Sequence, residues 1–205
     1  MQTKNSLSAY CVSVIILITG AGLIWQATDG LNAFTSETAR RLAIAAEQPL
    51  MPNFIIETMS GERRDLTSSD GKVILVEFIY TSCPTICQSA GSNLAKLQRK
   101  IINAQLQDHI QIYSVSFDPK NDTPDALKSY GERHGADGKI WTIARPSEND
   151  LTSILKAFGV IVISDNVGGF EHNAAIHIVN PAGKLTAIVD LDNISSALRQ
   201  ARRVM

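Results

Sequence analysis

The rhythm of apolar and polar residues changes several times along the chain, and each change marks an element. From Leu7 to Trp25 the run LSAYCVSVIILITGAGLIW carries no charge, close to the ~20 apolar residues that a helix needs to cross a bilayer. The stretch SETARRLAIAAEQP then predicts a short helix, with Ser36 as N-cap and a stop at Pro49. NFIIET and the Ser60-Gly61 turn suggest a small hairpin. KVILVEFIY, residues 72–80, is a buried-strand pattern bounded by Asp70-Gly71. A helix from about Pro84 to Asn103 has an apolar face of Ile86, Leu94, Leu97, Ile101 and Ile102.

The alternation continues. IQIYSVSF is a second strand, ended by Asp118-Pro119. In DTPDALKSYGERHG, Thr123 reads as N-cap, Pro124 as the first helical residue and Gly135 as the stop. KIWTIA is a third strand and Glu148 to Phe158 a third helix. AAIHIVN and LTAIVD pair about Pro181-Ala182-Gly183, and NISSALRQARRV closes the chain as a helix with arginines at its negative end. This order predicts an α/β, thioredoxin-like fold, with a central, mostly parallel sheet flanked by helices. In such a fold chemistry belongs where the first long strand meets the first long helix, at Thr81 to Cys87.

Charge and composition narrow the setting. Of 205 residues the formal net charge is −1, and no basic stripe with aromatics appears, which excludes a nucleic-acid partner. Lys4 and the terminal amine precede the apolar run, and Asp29 is the first charge after it. The positive-inside rule then puts residues 1–6 in the cytoplasm, 7–25 in the membrane as an anchor, 26–48 outside as a stalk, and 49–205 outside as the folded domain. Trp25 sits where an interfacial aromatic anchors. A cleaved signal peptide is the alternative, though the run is long for one. Tyr10 stands where a lipoprotein cysteine needs a small residue before it, so Cys11 reads as a helix-packing or lipid-facing thiol. Either way the domain is expected in an oxidising compartment, a bacterial periplasm beneath an inner-membrane anchor.

The junction holds the chemistry. Cys83 and Cys87 have three residues between them, at the end of a strand and the start of a helix. Free N–H groups and positive potential there favour thiolates. Helical residues four apart have Cβ atoms about 5–6 Å from each other, whereas a disulfide wants about 3.5–4.5 Å. A single soft metal bridges the pair without distortion, and thiolates select Cu(I), zinc or iron–sulfur centres. Two sulfurs need a third ligand. His109 lies in a polar loop, His134 at a helix end where a cation suits the dipole, and His177 mid-strand as a packed ring. His172, in a glycine-containing loop that leads into the strand beside the cysteine strand, is the candidate. No proline occurs between residues 165 and 180, where thiol–disulfide enzymes of this fold carry one facing their cysteines.

The stretches GKVILVEFIYTSCPTIC, SVSFDPKNDTPDALKSY and EHNAAIHIVNPAGKL, with Trp141, resemble the Sco/SenC copper-binding proteins over most of residues 50–190. The resemblance implies one N-terminal anchor helix and one copper held by two cysteines and a histidine, here Cys83, Cys87 and His172. Asp118 would be the acidic residue kept close to the site, with an Asp-Pro turn and cap as the equal alternative. It also implies a part in assembling the dinuclear copper centre of cytochrome c oxidase, with subunit II or another periplasmic copper protein as client. Ser82, Gln88, His177 and Glu77 depart from the family pattern, and none of them removes a ligand.

The expected function is therefore a membrane-tethered copper metallochaperone. The alternative is a thiol–disulfide reductase of the client's cysteines, in which Cys83 attacks and Cys87 resolves. A one-cysteine peroxidase is disfavoured, because no arginine lies within ten residues of Cys83.

Overall fold

The protein is described by a computed structural model. It covers the backbone of residues 3–28, 30–31, 33–68, 70–83, 86–165 and 169–205, and their side chains except at 3–9 and 86–89. The chain divides into two compact units, Met1–Glu47 and Gln48–Met205.

In the first unit, α1 (Thr3–Ala27) is longer than the predicted span, and its window Tyr10–Ala27 has a mean hydropathy of 1.8 with none of it buried. By length and composition it is a candidate membrane span. The helix α2 (Ser36–Glu47) starts one residue earlier than expected. Thr35, not Ser36, is its cap, its hydroxyl accepting from the Thr38 N–H at 3.1 Å. Glu37 in the first turn pairs with Arg40 at 2.9 Å and Arg41 at 2.8 Å.

The second unit is built on a seven-stranded sheet. Its strands are β1 (Ile55–Thr58), β2 (Arg63–Asp65), β3 (Val73–Ile79), β4 (Ile110–Ser116), β5 (Trp141–Pro146), β8 (Ile176–Val179) and β9 (Leu185–Val189). They run in the order β2-β1-β5-β4-β3-β8-β9. Parallel pairing is confined to the central β5-β4-β3, where helical crossovers join the strands; both flanks are antiparallel hairpins. Every residue of β3 is buried, as its unbroken apolar run requires of a central strand.

The helices α3 (Ile86–Asn103), α4 (Pro124–His134), α5 (Glu148–Phe158) and α6 (Ile194–Arg203) cover the sheet. Register partners Glu77, Ser114 and Ile143 share one face, and α4 lies there, with Gly131 against Ile143. The helix α3 packs beside α4, Gln98 donating to the Gly135 carbonyl at 2.9 Å. On the opposite face Phe158 of α5 meets Phe78 and His177.

Local signals explain most boundaries. Thr123 caps α4 by accepting from Ala126, and Gly135 ends it at φ 77°. The third strand begins at Trp141, later than the predicted Lys139. Asp137 Oδ1 accepts from the N–H groups of Lys139, Ile140 and Trp141, which bends that stretch into a turn. One element went unpredicted: β6 (Val162–Ser164) and β7 (Phe170–His172) form a separate two-stranded ribbon where a loop was expected.

Candidate metal centre

The C-terminal ends of β3 and β4 form the floor of the site. Past Ile79 the chain turns through Tyr80 to Cys83, whose N–H donates to the Tyr80 carbonyl at 3.3 Å. Cys83 is 7% exposed. The first described residue of α3 is Ile86, so Cys83 precedes a positive helix end. Cys87 lies in the first turn of α3, and its side chain is outside the described residues.

The turn is held from the neighbouring loop. The Asp122 carboxylate is 1% exposed. It accepts from the Thr81 N–H at 2.9 Å, the Thr81 hydroxyl at 2.6 Å and the Ser116 hydroxyl at 2.5 Å. Three donors satisfy a buried carboxylate that would otherwise be costly. Arg145 fixes the same loop from below. It donates to the Pro119 carbonyl at 2.9 Å and the Asp122 carbonyl at 3.2 Å while pairing with Glu57 at 2.7 Å. Asp118, the acidic candidate of the sequence, lies in the same loop, its N–H donating to the Ser116 hydroxyl at 3.0 Å. Both its carboxylate oxygens accept from Asn121, at 3.0 and 2.9 Å, while its backbone carbonyl caps the turn.

The β6–β7 ribbon brings in the histidine. Phe170 meets Tyr80 at 5.2 Å and Phe117 at 5.5 Å between ring centroids, and its N–H donates to the Tyr80 hydroxyl at 3.4 Å. Edge-to-face contacts of this kind add to the area they bury. His172 lies against Phe117 at 4.9 Å and 63°. Asn173 pins the base of the ribbon, accepting from the Ile161 N–H at 2.7 Å and donating to the Gly159 carbonyl at 3.0 Å.

His172 Nδ1 is buried and has no hydrogen-bond partner among the described residues. Burial also lowers the imidazole pKa below its ordinary value. A neutral ring with one unsatisfied buried nitrogen suits a borderline or soft metal ion. Among the described residues no three His, Cys, Asp or Glu side chains converge as a complete site.

The other histidines have structural surroundings. His109 is exposed. His177 is 1% exposed, edge-on to Phe78 and Phe158, with Nδ1 3.3 Å from the Val76 carbonyl. His134 lies in the last turn of α4, at the helix end the sequence gives it. Its ring packs at a tilt of 48° against Tyr130 and lies over Gly91, and burial, with Arg133 nearby, lowers its pKa.

Glu77, the acid inside β3, accepts from Ser114 at 3.0 Å. Ser114 in turn accepts from Trp141 Nε1 at 3.0 Å. Burial raises the Glu77 pKa to about 8, partly offset by the Ser114 bond.

Asp122, Asn173 and the aromatic trio escaped the sequence reading. The only local hint was Asp122 beside a capped helix start, and that reads as an ordinary turn.

This is a thioredoxin-like α/β domain with the Cys83 turn following β3 and the His172 ring set against Phe117 at the end of β4. A family model described as SCO1/SenC matches residues 43–205; the chain belongs to the SCO1/SenC family. The SCO1 protein homolog of Bacillus subtilis (strain 168) is 29% identical over 135 residues, covering 64% of this chain and 69% of that protein. The structure of Bradyrhizobium japonicum ScoI with copper bound matches with a TM-score of 0.65 at 19% identity, covering 77% of this chain and 100% of that one. BsSco, described as carrying a disulfide switch and as a member of the Sco family of cytochrome c oxidase assembly proteins, matches with a TM-score of 0.67 at 24% identity. That match covers 76% of this chain and 92% of the other. At these identities the structural likeness is one of fold.

Proposed function

We propose that this protein is a membrane-tethered copper-binding assembly factor. It holds one copper ion as cargo through Cys83, Cys87 and His172 and passes it to a periplasmic client such as subunit II of cytochrome c oxidase. The domains follow the sequence reading, with an inner-membrane anchor at 7–25, a stalk at 26–48 and a periplasmic domain from 49. The observation that carries the reading is the His172 imidazole. Its buried Nδ1 lacks a partner among the described residues, and the β6–β7 ribbon sets its ring against Phe117 while Phe170 of the same ribbon meets Tyr80, on the strand end that leads to Cys83. A nitrogen buried without a partner is costly, and a metal ion removes that cost. Three ligands suit transfer, because an incoming client ligand finds an open position.

Titration of the full chain in detergent with Cu(I) and Cu(II) tests this. The expected result is one copper per chain, with a sulfur-to-Cu(II) charge-transfer band that Cys83→Ser and Cys87→Ser weaken or abolish. His172→Ala is expected to bind far more weakly while remaining folded. Wild-type affinity in His172→Ala overturns the ligand set.

The second reading is thiol–disulfide reduction of the client, favoured by the position of Cys83 ahead of the positive end of α3. The Cys83 thiolate attacks a client disulfide, releasing one client thiolate. Cys87 then displaces the other, leaving a Cys83–Cys87 disulfide and a dithiol client. Metal-free His172→Ala reducing such a disulfide at the full wild-type rate would favour this reading.

A further inference from the structure

The acidic side chain that reaches the Cys83 turn is Asp122, from a loop 41 residues further along. Its three acceptor contacts fall on two segments: the Thr81 N–H and hydroxyl on the turn before Cys83, and the Ser116 hydroxyl at the end of β4. The next residue on that strand end is Phe117, whose N–H donates to the Ile79 carbonyl at 2.9 Å and whose ring contacts His172. Neighbouring residues of a strand point to opposite sides. The end of β4 therefore holds the cysteine turn through Ser116 and Asp122, and the histidine through Phe117.

We infer that Asp122 is the positioning residue of the copper site, clamping the Tyr80–Cys83 turn to the strand end that also carries the His172 ring. The inference rests on the copper-binding reading above. Without the clamp, the turn loses both Thr81 contacts and retains the 3.3 Å bond from the Cys83 N–H to the Tyr80 carbonyl, and the Cys83 thiol loses its fixed place relative to the imidazole. Losing a group that orients a metal ligand commonly costs about 10–100-fold in metal affinity.

The contact pattern gives the clamp a specific test. Asn is isosteric with Asp and can keep all three contacts. Its oxygen accepts from the Thr81 N–H and the Ser116 hydroxyl, and its NH2 donates to a rotated Thr81 hydroxyl. Ala keeps none. Thr81→Val removes the hydroxyl contact alone and leaves the N–H contact.

Copper affinity and the charge-transfer band are measured on the full chain in detergent for Asp122→Asn, Asp122→Ala, Thr81→Val and Ser116→Ala. Asp122→Ala is expected to lose about 10–100-fold in affinity and to shift or weaken the band, with Asp122→Asn within about threefold of wild type. Thr81→Val and Ser116→Ala fall between them. An Asp122→Ala protein that melts earlier yet binds copper with wild-type affinity and spectrum overturns the inference, leaving only a stabilising contact. Asp122→Asn as poor as Asp122→Ala also overturns it, because charge and not the clamp would then matter. If Asp122→Ala does not fold, wild-type affinity in both Thr81→Val and Ser116→Ala serves as the refutation.

A wild-type chain that takes no copper defeats the functional reading but not the clamp. The clamp is then read in the metal-free chain by the rate of Cys83 alkylation, located by mass spectrometry. Asp122→Ala is expected to speed the reaction of this buried thiol about tenfold and Asp122→Asn to leave it unchanged. Equal rates in all three proteins overturn the clamp.

Discussion

The imidazole of His172 stands edge-on to the ring of Phe117, centroids 4.9 Å apart. Phe117 also meets Tyr80 at 5.3 Å and Phe170 at 5.5 Å. One buried side chain thus joins the cysteine strand, its neighbour and the histidine ribbon.

Phe117→Leu keeps an apolar side chain but removes the edge-to-face contacts, each worth about 0.5–1.5 kcal/mol beyond burial. The variant is expected to lose about 1–2 kcal/mol in urea unfolding. Its copper affinity, measured by competition with a chelator, should fall several-fold. Unchanged affinity at that loss of stability would mean that Phe117 packs the ribbon without orienting the ring.

The lowered pKa of His172 has a definite sign. Burial disfavours the charged ring, so the folded protein holds the proton less well than the unfolded chain, whose pKa is near 6.5. No penalty exists well above pH 6.5. Stability falls as the pH drops below it, because the unfolded chain then binds the extra proton. An NMR titration of the metal-free chain should place the His172 midpoint below 6.5. Phe117→Leu, by opening the ribbon to water, should move it back up.

Glu77 behaves in the opposite sense. Its folded pKa of about 8 lies above the ordinary 4.5, so folding favours the protonated acid. Stability from this group is complete below pH 4.5 and declines as the pH rises through 8, by about 1.4 kcal/mol per unit between them. Glu77→Gln stays neutral and still accepts from Ser114. In urea unfolding its advantage over wild type should grow by about 2–3 kcal/mol between pH 6 and 8.5. A constant difference across that range would mean that Glu77 does not titrate there.

Gly91 in α3 lies directly under the His134 ring, where any Cβ collides with it. Gly→Ala inside a helix normally gains about 1 kcal/mol. Here Gly91→Ala is expected to cost about 1–3 kcal/mol by overpacking. In a His134→Ala background the same substitution should recover the normal gain. The double-mutant cycle reads the collision directly.

The strands and helices that position the site were legible wherever a local signal sufficed. The apolar run of β3 and the second strand β4 announced themselves by composition. Thr123, Pro124 and Gly135 mark α4 because caps act within one turn of chain. Cys83 at a strand-to-helix junction follows from the same local reading.

Other features depend on contacts between distant segments. The β6–β7 ribbon has two three-residue strands with mixed exposure. Three residues are too few for a period to be read, and the ribbon is stabilised by Phe170 meeting Tyr80 and by Asn173 reaching back to Gly159. Asp118 and Asp122 look equally like turn acids in the sequence. Only the approach of the β3–α3 turn to the β4–α4 loop turns one toward Asn121 and the other toward Thr81. His134 likewise reads as a helix-end residue, and only packing sets its ring over Gly91 of α3 and adds the burial that lowers its pKa. Periodicity and capping settle which elements form, because those forces act along the chain. Which side chains meet, and in what charge state, was decided by packing across the sheet, where desolvation and hydrogen-bond geometry act between residues dozens of positions apart.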